Sequence, residues 1–143
     1  MKSSTVYNCS ILEIDKHHNV QGNISVVENS VTVPFDVKRV YYLYDVPGGE
    51  SRGGHAHKEL QQMAWCPYGD ITFILDDGKK REEVRLDNPS VGLKIGKGIW
   101  REMIWNKADS VLCVAASTHY DESDYIRDYD EFLRHVKEGY WND

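Results

Sequence analysis

No apolar run in this 143-residue chain approaches the roughly twenty residues that a membrane-spanning helix requires. The N-terminus, MKSSTVYNCS, also lacks the apolar stretch of a secretory signal, and the expected location is the cytoplasm. Cysteine is scarce. Cys9, Cys66 and Cys113 are odd in number and lie in apolar, strand-like runs, which reads as buried thiols in a reducing compartment and argues against a disulfide framework. Basic residues are outnumbered, 17 Lys and Arg against 23 Asp and Glu, for a net charge of −6. That excludes the basic face a nucleic acid or an anionic membrane would need, but not a small anion held by a few local arginines. There is no internal repeat and no Pro- or Gly-rich linker, so residues 1–143 read as one domain, long enough for one real core.

What the chain does contain is a series of short strands. Candidates are Tyr7–Ile14, Asn23–Glu28, Arg39–Val46, Gln61–Cys66, Ile71–Asp76, Arg81–Leu86, Val91–Ile95, Ile99–Trp105 and Val111–Ser117. Each is rich in β-branched or aromatic residues and bounded by Gly, Pro, Asn or Asp. Asp77-Gly78 between ITFILD and REEVRL signals a tight hairpin turn, with Lys79, Lys80 and Arg81 as its charged tip. Many short strands at near-regular spacing predict an all-β sandwich or barrel. After residue 120 the period changes. In DESDYIRDYDEFLRHVKEGYW the apolar positions Tyr125, Ile126, Tyr129, Phe132, Leu133 and Val136 form a helical stripe. Acidic residues crowd its start, Arg134, His135 and Lys137 its end, and Gly139 is placed to stop it. The expectation is a β-domain with one C-terminal amphipathic helix covering a sheet.

Residues 52–58 read RGGHAHK. In an extended segment His55 and His57 share a face and Ala56 takes the other. Gly53 and Gly54 let the backbone bend just before them. Such a pair can ligate a metal, transfer protons or merely pack, and the adjacent Arg52 favours a site over packing. By strand alternation Tyr41 and Leu43 oppose Tyr42 and Tyr44, so only one pair can line a pocket. Trp65, Trp100 and Trp105 read as core or pocket wall, and Trp141 as a chain-end or subunit contact. His17 and His18, in a polar DKHHN turn, read as solvated, and His119 and His135 as structural.

The HxH segment resembles the first motif of the cupin superfamily, small jelly-roll β-barrels, through Gly49, His55, His57 and Gly69. Gln62 stands where that motif has glutamate. In the second motif, Gly96-Lys97-Gly98-Ile99-Trp100-Arg101 with Asn106 beyond, Arg101 stands where histidine is usual. The superfamily's metal site uses three histidines and a carboxylate. An amide is a weak substitute for the carboxylate, and a guanidinium repels a cation, so no metal and no cofactor is expected. Two imidazoles without a metal suit proton transfer near neutral pH.

Longer stretches, VPFDVKRVYYLYDVPGGESRGGHAHKELQQ, ILDDG, VGLKIGKGIWREM and YDESDYIRDYDEF, resemble the sugar 3,4-ketoisomerases of the FdtA/QdtA-like group from about Pro34 to about Phe132. This resemblance implies a metal-free, homodimeric cupin, with an N-terminal strand exchanged between subunits as one route to the dimer. The implied substrate is a dTDP-linked 4-keto-6-deoxy sugar, isomerised to its 3-keto form ahead of an aminotransferase that makes 3-amino-3,6-dideoxyhexoses for surface polysaccharides. It maps the catalytic pair onto His55 and His57. His55 is taken as base and His57 as proton shuttle or donor to C4, and the spacing leaves the reverse assignment open. Substrate-binding roles fall to Arg39, Tyr41, Arg52, Gln62, Arg101 and Arg127, the last for the phosphates. Arg101 leans towards a gluco-configured product. Gln21 stands where a partner of that residue is expected. The rival readings are a metal-dependent cupin oxidoreductase, a non-catalytic sugar-nucleotide binding module and a 3,5-epimerase-like cupin.

Overall fold

Residues 2, 3 and 6–142 are described by the structure, a computed structural model, the first two through their backbone alone. The strands are β1 (Lys2–Ser3), β2 (Cys9–Glu13), β3 (Asp15–Asn19), β4 (Gly22–Val26), β5 (Arg39–Leu43), β6 (Ser51–His57) and β7 (Gln62–Tyr68). They continue as β8 (Ile71–Asp76), β9 (Arg81–Leu86), β10 (Val91–Ile95), β11 (Trp100–Trp105), β12 (Val111–Ala116) and β13 (Tyr125–Ile126), before a single helix, α1 (Tyr129–Lys137).

Two sheets face each other, ordered β1-β2-β10-β7-β12-β5 and β13-β6-β11-β8-β9, while β3 and β4 form a separate two-stranded arm. The strands named here pair antiparallel throughout. This is the expected all-β jelly-roll arrangement with its C-terminal helix, but the two sheets remain separate ladders and do not close into one barrel.

The alternation along β11 shows how sequence builds the layers. Met103 and Trp105 point inward to the core between the sheets, and Trp100 points outward beneath the helix. Arg101 shares the inward face with Met103 and Trp105. The central core gathers Phe73, Leu75, Leu93, Ile99, Trp105 and Leu112, all buried. Each such side chain contributes about 1.5–3 kcal/mol from burial. Trp105 also donates its indole N–H to the Ser110 carbonyl at 2.9 Å, so its one polar atom is satisfied. A second cluster of Ile14, Val33, Met63 and Ala115 is packed against Phe35, Val37 and Trp65. A third lies under α1, where Ala56, Trp100, Ile126 and Phe132 meet Trp141.

Several sequence expectations are revised. DKHHN is not a turn but strand β3, fully exposed, and the turn lies at Val20 and Gln21. The ILDDG turn spans four residues, with the Asp77 carboxylate accepting the Lys79 and Lys80 amides and the Asp77 amide bonding the Lys80 carbonyl. The helix begins only at Tyr129, capped by Asp128, and not in the acidic run before it. That run instead forms a short 3-10 turn, Glu122–Asp124, and then β13. Gly139 closes the helix at φ +73 as anticipated. Cys9 and Cys66 are buried, with burial pushing each thiol up to about 11, while Cys113 is only partly buried.

Candidate active site

The approach to the histidines is set by local backbone. Gly53 and Gly54 adopt φ +96 and +77, in the left-handed region that favours glycine. A Cβ on Gly53 would meet the Met103 methyl at 3.0 Å and the Arg101 carbonyl at 3.1 Å. Opposite it the β6–β11 register slips between Arg101 and Glu102, a bulge of the kind that re-aims side chains beside functional sites. Beyond the bulge Arg101 pairs with His55. Ala56 packs outward under α1, and both imidazoles turn the other way, as alternation predicts.

A cavity of about 530 Å³ opens here between the sheets. Arg39, Tyr41 and Leu43 of β5, Arg52 and His55 of β6, Gln62 of β7 and Arg101 of β11 line it, together with Tyr120, Tyr125 and Arg127. The exposed Tyr42 and Tyr44 lie on the opposite face of β5, so the choice between the two tyrosine pairs falls to Tyr41 and Leu43. Among the described residues four arginines and no carboxylate line the cavity, in a protein whose net charge is −6. Low-dielectric walls of one charge sign concentrate anions at such a site.

Arg101 is 1% exposed, yet its guanidinium is satisfied. Its Nε and Nη2 donate to the Ile99 carbonyl at 3.1 and 3.0 Å, and Nη1 donates to the Gln62 side-chain oxygen. Gln62 in turn donates its amide to the Tyr41 hydroxyl at 2.7 Å. Gln62 is therefore committed to an arginine and a tyrosine. Arg39 donates Nε to the Thr118 carbonyl at 3.0 Å and lies over the rings of Tyr41 and Tyr120. Its Nη2 is buried without a hydrogen-bond partner. Arg127 stacks on Tyr125 at 4.2 Å from the ring centroid and pairs with Glu122 at 2.8 Å. Arg52, exposed, stands on the rim.

The two imidazoles differ. His55 lines the cavity, but His57 does not. It is 0% exposed, its ring edge-on to His55 at 4.9 Å between centroids and 4.4 Å from the Tyr125 ring. Although the two share a face, β6 carries His57 deeper than His55, into contact with the 3-10 turn. There its Nδ1 meets the Asp124 carboxylate at 3.0 Å. Burial, then Arg101 and Arg127, pull His55 down to about 3. Burial, then Arg101 and His55, pull His57 down as well. Both are neutral at pH 7, the form that can accept a proton.

The depressed values have a stability consequence. Between about pH 6.5 and the lowered folded values, the unfolded chain binds protons at these two positions and the folded chain does not. Stability is thus intact above pH 6.5 and declines as the pH falls, by up to about 1.4 kcal/mol per pH unit for each histidine. Denaturant midpoints taken from pH 7 to 4.5, above the carboxylate range, are expected to fall. The slope should be shallower in His55→Asn, and a flat profile in the native protein would contradict the burial of the pair.

The residues do not fit a metal. Where the cupin pattern calls for a third imidazole and a carboxylate there are a buried guanidinium and an amide already bonded to it. An ion here would lie against a fixed positive charge. Among the described residues no group of three His, Cys, Asp or Glu side chains could hold one. Gln21, expected to partner Arg101, is exposed in the β3–β4 turn, and within this chain Arg101 bonds Gln62 and Ile99 instead. Asp124, Tyr120 and Tyr125 join the site beyond the sequence expectation, which places Tyr125 on the helical stripe; their signal lies in YDESDYIRDYDEF beside Arg127.

Comparison with known proteins agrees with this geometry. The family model described as FdtA: WxcM-like, C-terminal, matches residues 7–137. The chain is 43% identical over 126 residues, 88% of its length and 91% of the other's, to a TDP-4-oxo-6-deoxy-alpha-D-glucose-3,4-oxoisomerase of Aneurinibacillus thermoaerophilus. The crystal structure of QdtA, a sugar 3,4-ketoisomerase from Thermoanaerobacterium thermosaccharolyticum in complex with TDP, superposes with a TM-score of 0.90 at 37% identity, covering 94% of this chain and 98% of that one. The WlaRB TDP-quinovose 3,4-ketoisomerase of Campylobacter jejuni matches with a TM-score of 0.86 at 44% identity, covering 90% and 99%. With the family model spanning nearly the whole chain and these relatives sharing both its length and its fold, the chain belongs to the FdtA, WxcM-like family.

Proposed function

We propose that the protein is an isomerase that converts a dTDP-linked 4-keto-6-deoxy-D-glucose to its 3-keto isomer by metal-free proton transfer. The observation that carries this reading is His55, a neutral imidazole lining a cavity ringed, among the described residues, by four arginines and no carboxylate. The arginines suit a nucleoside diphosphate and the imidazole suits a carbon acid. The relatives support the reading: one is named for this oxoisomerase activity, and QdtA was crystallised with TDP.

The 4-keto group acidifies the C3–H bond. His55 takes that proton, and the electron pair moves to give an enediolate between C3 and C4. Arg101, with the Tyr41 hydroxyl, stabilises the negative oxygen in a site where a fixed charge acts strongly. The O3 proton must then move to O4. His57, the expected shuttle, is buried behind His55, and Tyr41 is the more direct carrier, because its hydroxyl faces the cavity and accepts from Gln62, which leaves its own proton free to donate. Burial raises the Tyr41 hydroxyl, so it stays protonated between turnovers. The proton held on His55 returns to C4, leaving a 3-keto sugar with a 4-hydroxyl. Arg39, Arg52 and Arg127 are assigned to the diphosphate and its flanking sugar.

The resemblance at Arg101 favours the gluco configuration at C4, and the name of the TDP-quinovose relative supports it. A 3-keto product is the substrate an aminotransferase needs to make a 3-amino-3,6-dideoxyhexose. A cytoplasmic homodimer belongs to the same reading. Proton NMR of dTDP-4-keto-6-deoxyglucose incubated with the enzyme in heavy water tests it. The expected result is a 3-keto product carrying deuterium at C4, with ring couplings that report the gluco form. A product inverted at C3 or C5 with its carbonyl still at C4 would favour the epimerase reading, and binding without exchange the non-catalytic one.

A further inference from the structure

The Asp124 carboxylate collects three donors. Oδ1 accepts the Glu59 backbone N–H at 2.8 Å, and Oδ2 accepts the Leu60 N–H at 3.3 Å and His57 Nδ1–H at 3.0 Å. A carboxylate only accepts, so the Nδ1 of the neutral His57 must carry the ring's one proton, and its Nε2 keeps a lone pair. That Nε2 is buried and has no hydrogen-bond partner among the described residues. A buried acceptor left unsatisfied is costly, and such a group in a native site calls for a use. The neighbour that gains a proton during the proposed reaction is His55, whose ring lies edge-to-face with His57 at 4.9 Å. Catalytic hydrogen bonds are often long in the free enzyme and tighten when substrate is bound.

We infer that Asp124 is a positioning residue of the isomerisation: it locks His57 in the Nδ1–H tautomer, so that Nε2 accepts a hydrogen bond from the His55 nitrogen that faces away from the substrate, a bond that strengthens when the other nitrogen takes the C3 proton. This rests on the ketoisomerase reading. The charged groups acting on the pair are Arg39, Arg101 and Arg127, opposed at His55 by Glu122, with Tyr125 across both rings. In that cationic surround, Asp124 is the carboxylate bonded to the pair, and through His57 it offsets the imidazolium formed in each turnover. The motif YDESDYIRDYDEF thus supplies the pair's orienter as well as Tyr125 and Arg127.

Asp124→Asn tests it. One of the two carboxylate positions becomes an NH2. Keeping the oxygen on the shorter Glu59 bond puts that NH2 against Nδ1, which then must accept, and the ring proton moves to Nε2. The expected result is a kcat lower by up to about 10⁴-fold, the loss seen for a wrong-tautomer variant of an oriented catalytic histidine, with KM and TDP affinity within about threefold. Nitrogen-15 NMR of labelled imidazole should show Nδ1 protonated in the native protein and Nε2 protonated in the variant. A kcat within about threefold of native, or a slow variant whose His57 still carries its proton on Nδ1, overturns the inference. If the variant does not fold, the native spectrum decides alone, since an Nε2–H tautomer there overturns it too. Absence of isomerisation by the native enzyme would sink the functional reading instead, and the tautomer measurement keeps the two failures apart.

Discussion

His55→Asn will lower turnover by about 10²–10⁴-fold and slow deuterium entry at C4 to the same degree, with TDP affinity unchanged. Asparagine approximates the imidazole in size and can still hydrogen bond, but it cannot hold a proton at neutral pH. The substitution leaves Arg39, Arg101 and Arg127 in place, so the anion-binding field of the cavity persists. Calorimetric titration with TDP and single-turnover NMR separate the two quantities. A variant that turns over within about tenfold of native would remove His55 from the role of base and with it the proposed mechanism.

Arg101→Met should cost about 10²–10³-fold in kcat, the usual loss when one preorganised donor to a developing oxyanion is removed. It should also move the acid limb of kcat/KM upward, towards the ordinary histidine value near 6.5. The sign follows from the geometry. Arg101 stands high among the causes lowering both His55 and His57, second only to burial, and a cation beside an imidazole disfavours its charged form. Removing it raises both, so the variant loses its neutral base at a higher pH than the native enzyme does. Stability should change far less than rate. The Gln62 and Ile99 carbonyls lose donors at about 1–3 kcal/mol apiece. Against that, a cation buried without a carboxylate partner no longer has to be desolvated. A pH–rate profile unmoved by the substitution would show that Arg101 does not act on the histidines.

These two residues were legible for a local reason. RGGHAHK and KIGKGIWRE carry their chemistry within a few positions, and strand alternation assigns each side chain a face without further information. The same rule separated Tyr41 from Tyr42. It did not separate His55 from His57, because alternation puts both on one face and says nothing about depth. His57 is 0% exposed because the chain returns after β12, and the 3-10 turn lays Asp124 against it across 67 positions of sequence. The helix start was misjudged for the same reason. Residues 121–127 have helical spacing and acidic N-terminal character, yet Tyr125 and Ile126 pair with His57 and Ala56 as strand β13. Tertiary hydrogen bonding outweighed local propensity, as it commonly does over a segment this short.

Composition, period and motif by themselves determined that this protein is a β-rich fold closed by one amphipathic helix, with an imidazole pair, a guanidinium where a metal-binding histidine would stand, and a surplus of arginine near both. Those are properties of nearest neighbours and of residue chemistry. Only the tertiary structure decided which imidazole meets the cavity, that Gln62 is bound to Arg101 and Tyr41, and that Asp124 holds His57. Each of those is a contact between segments far apart in the chain, set by how two sheets and a returning loop share one interior, and no local pattern encodes that distance.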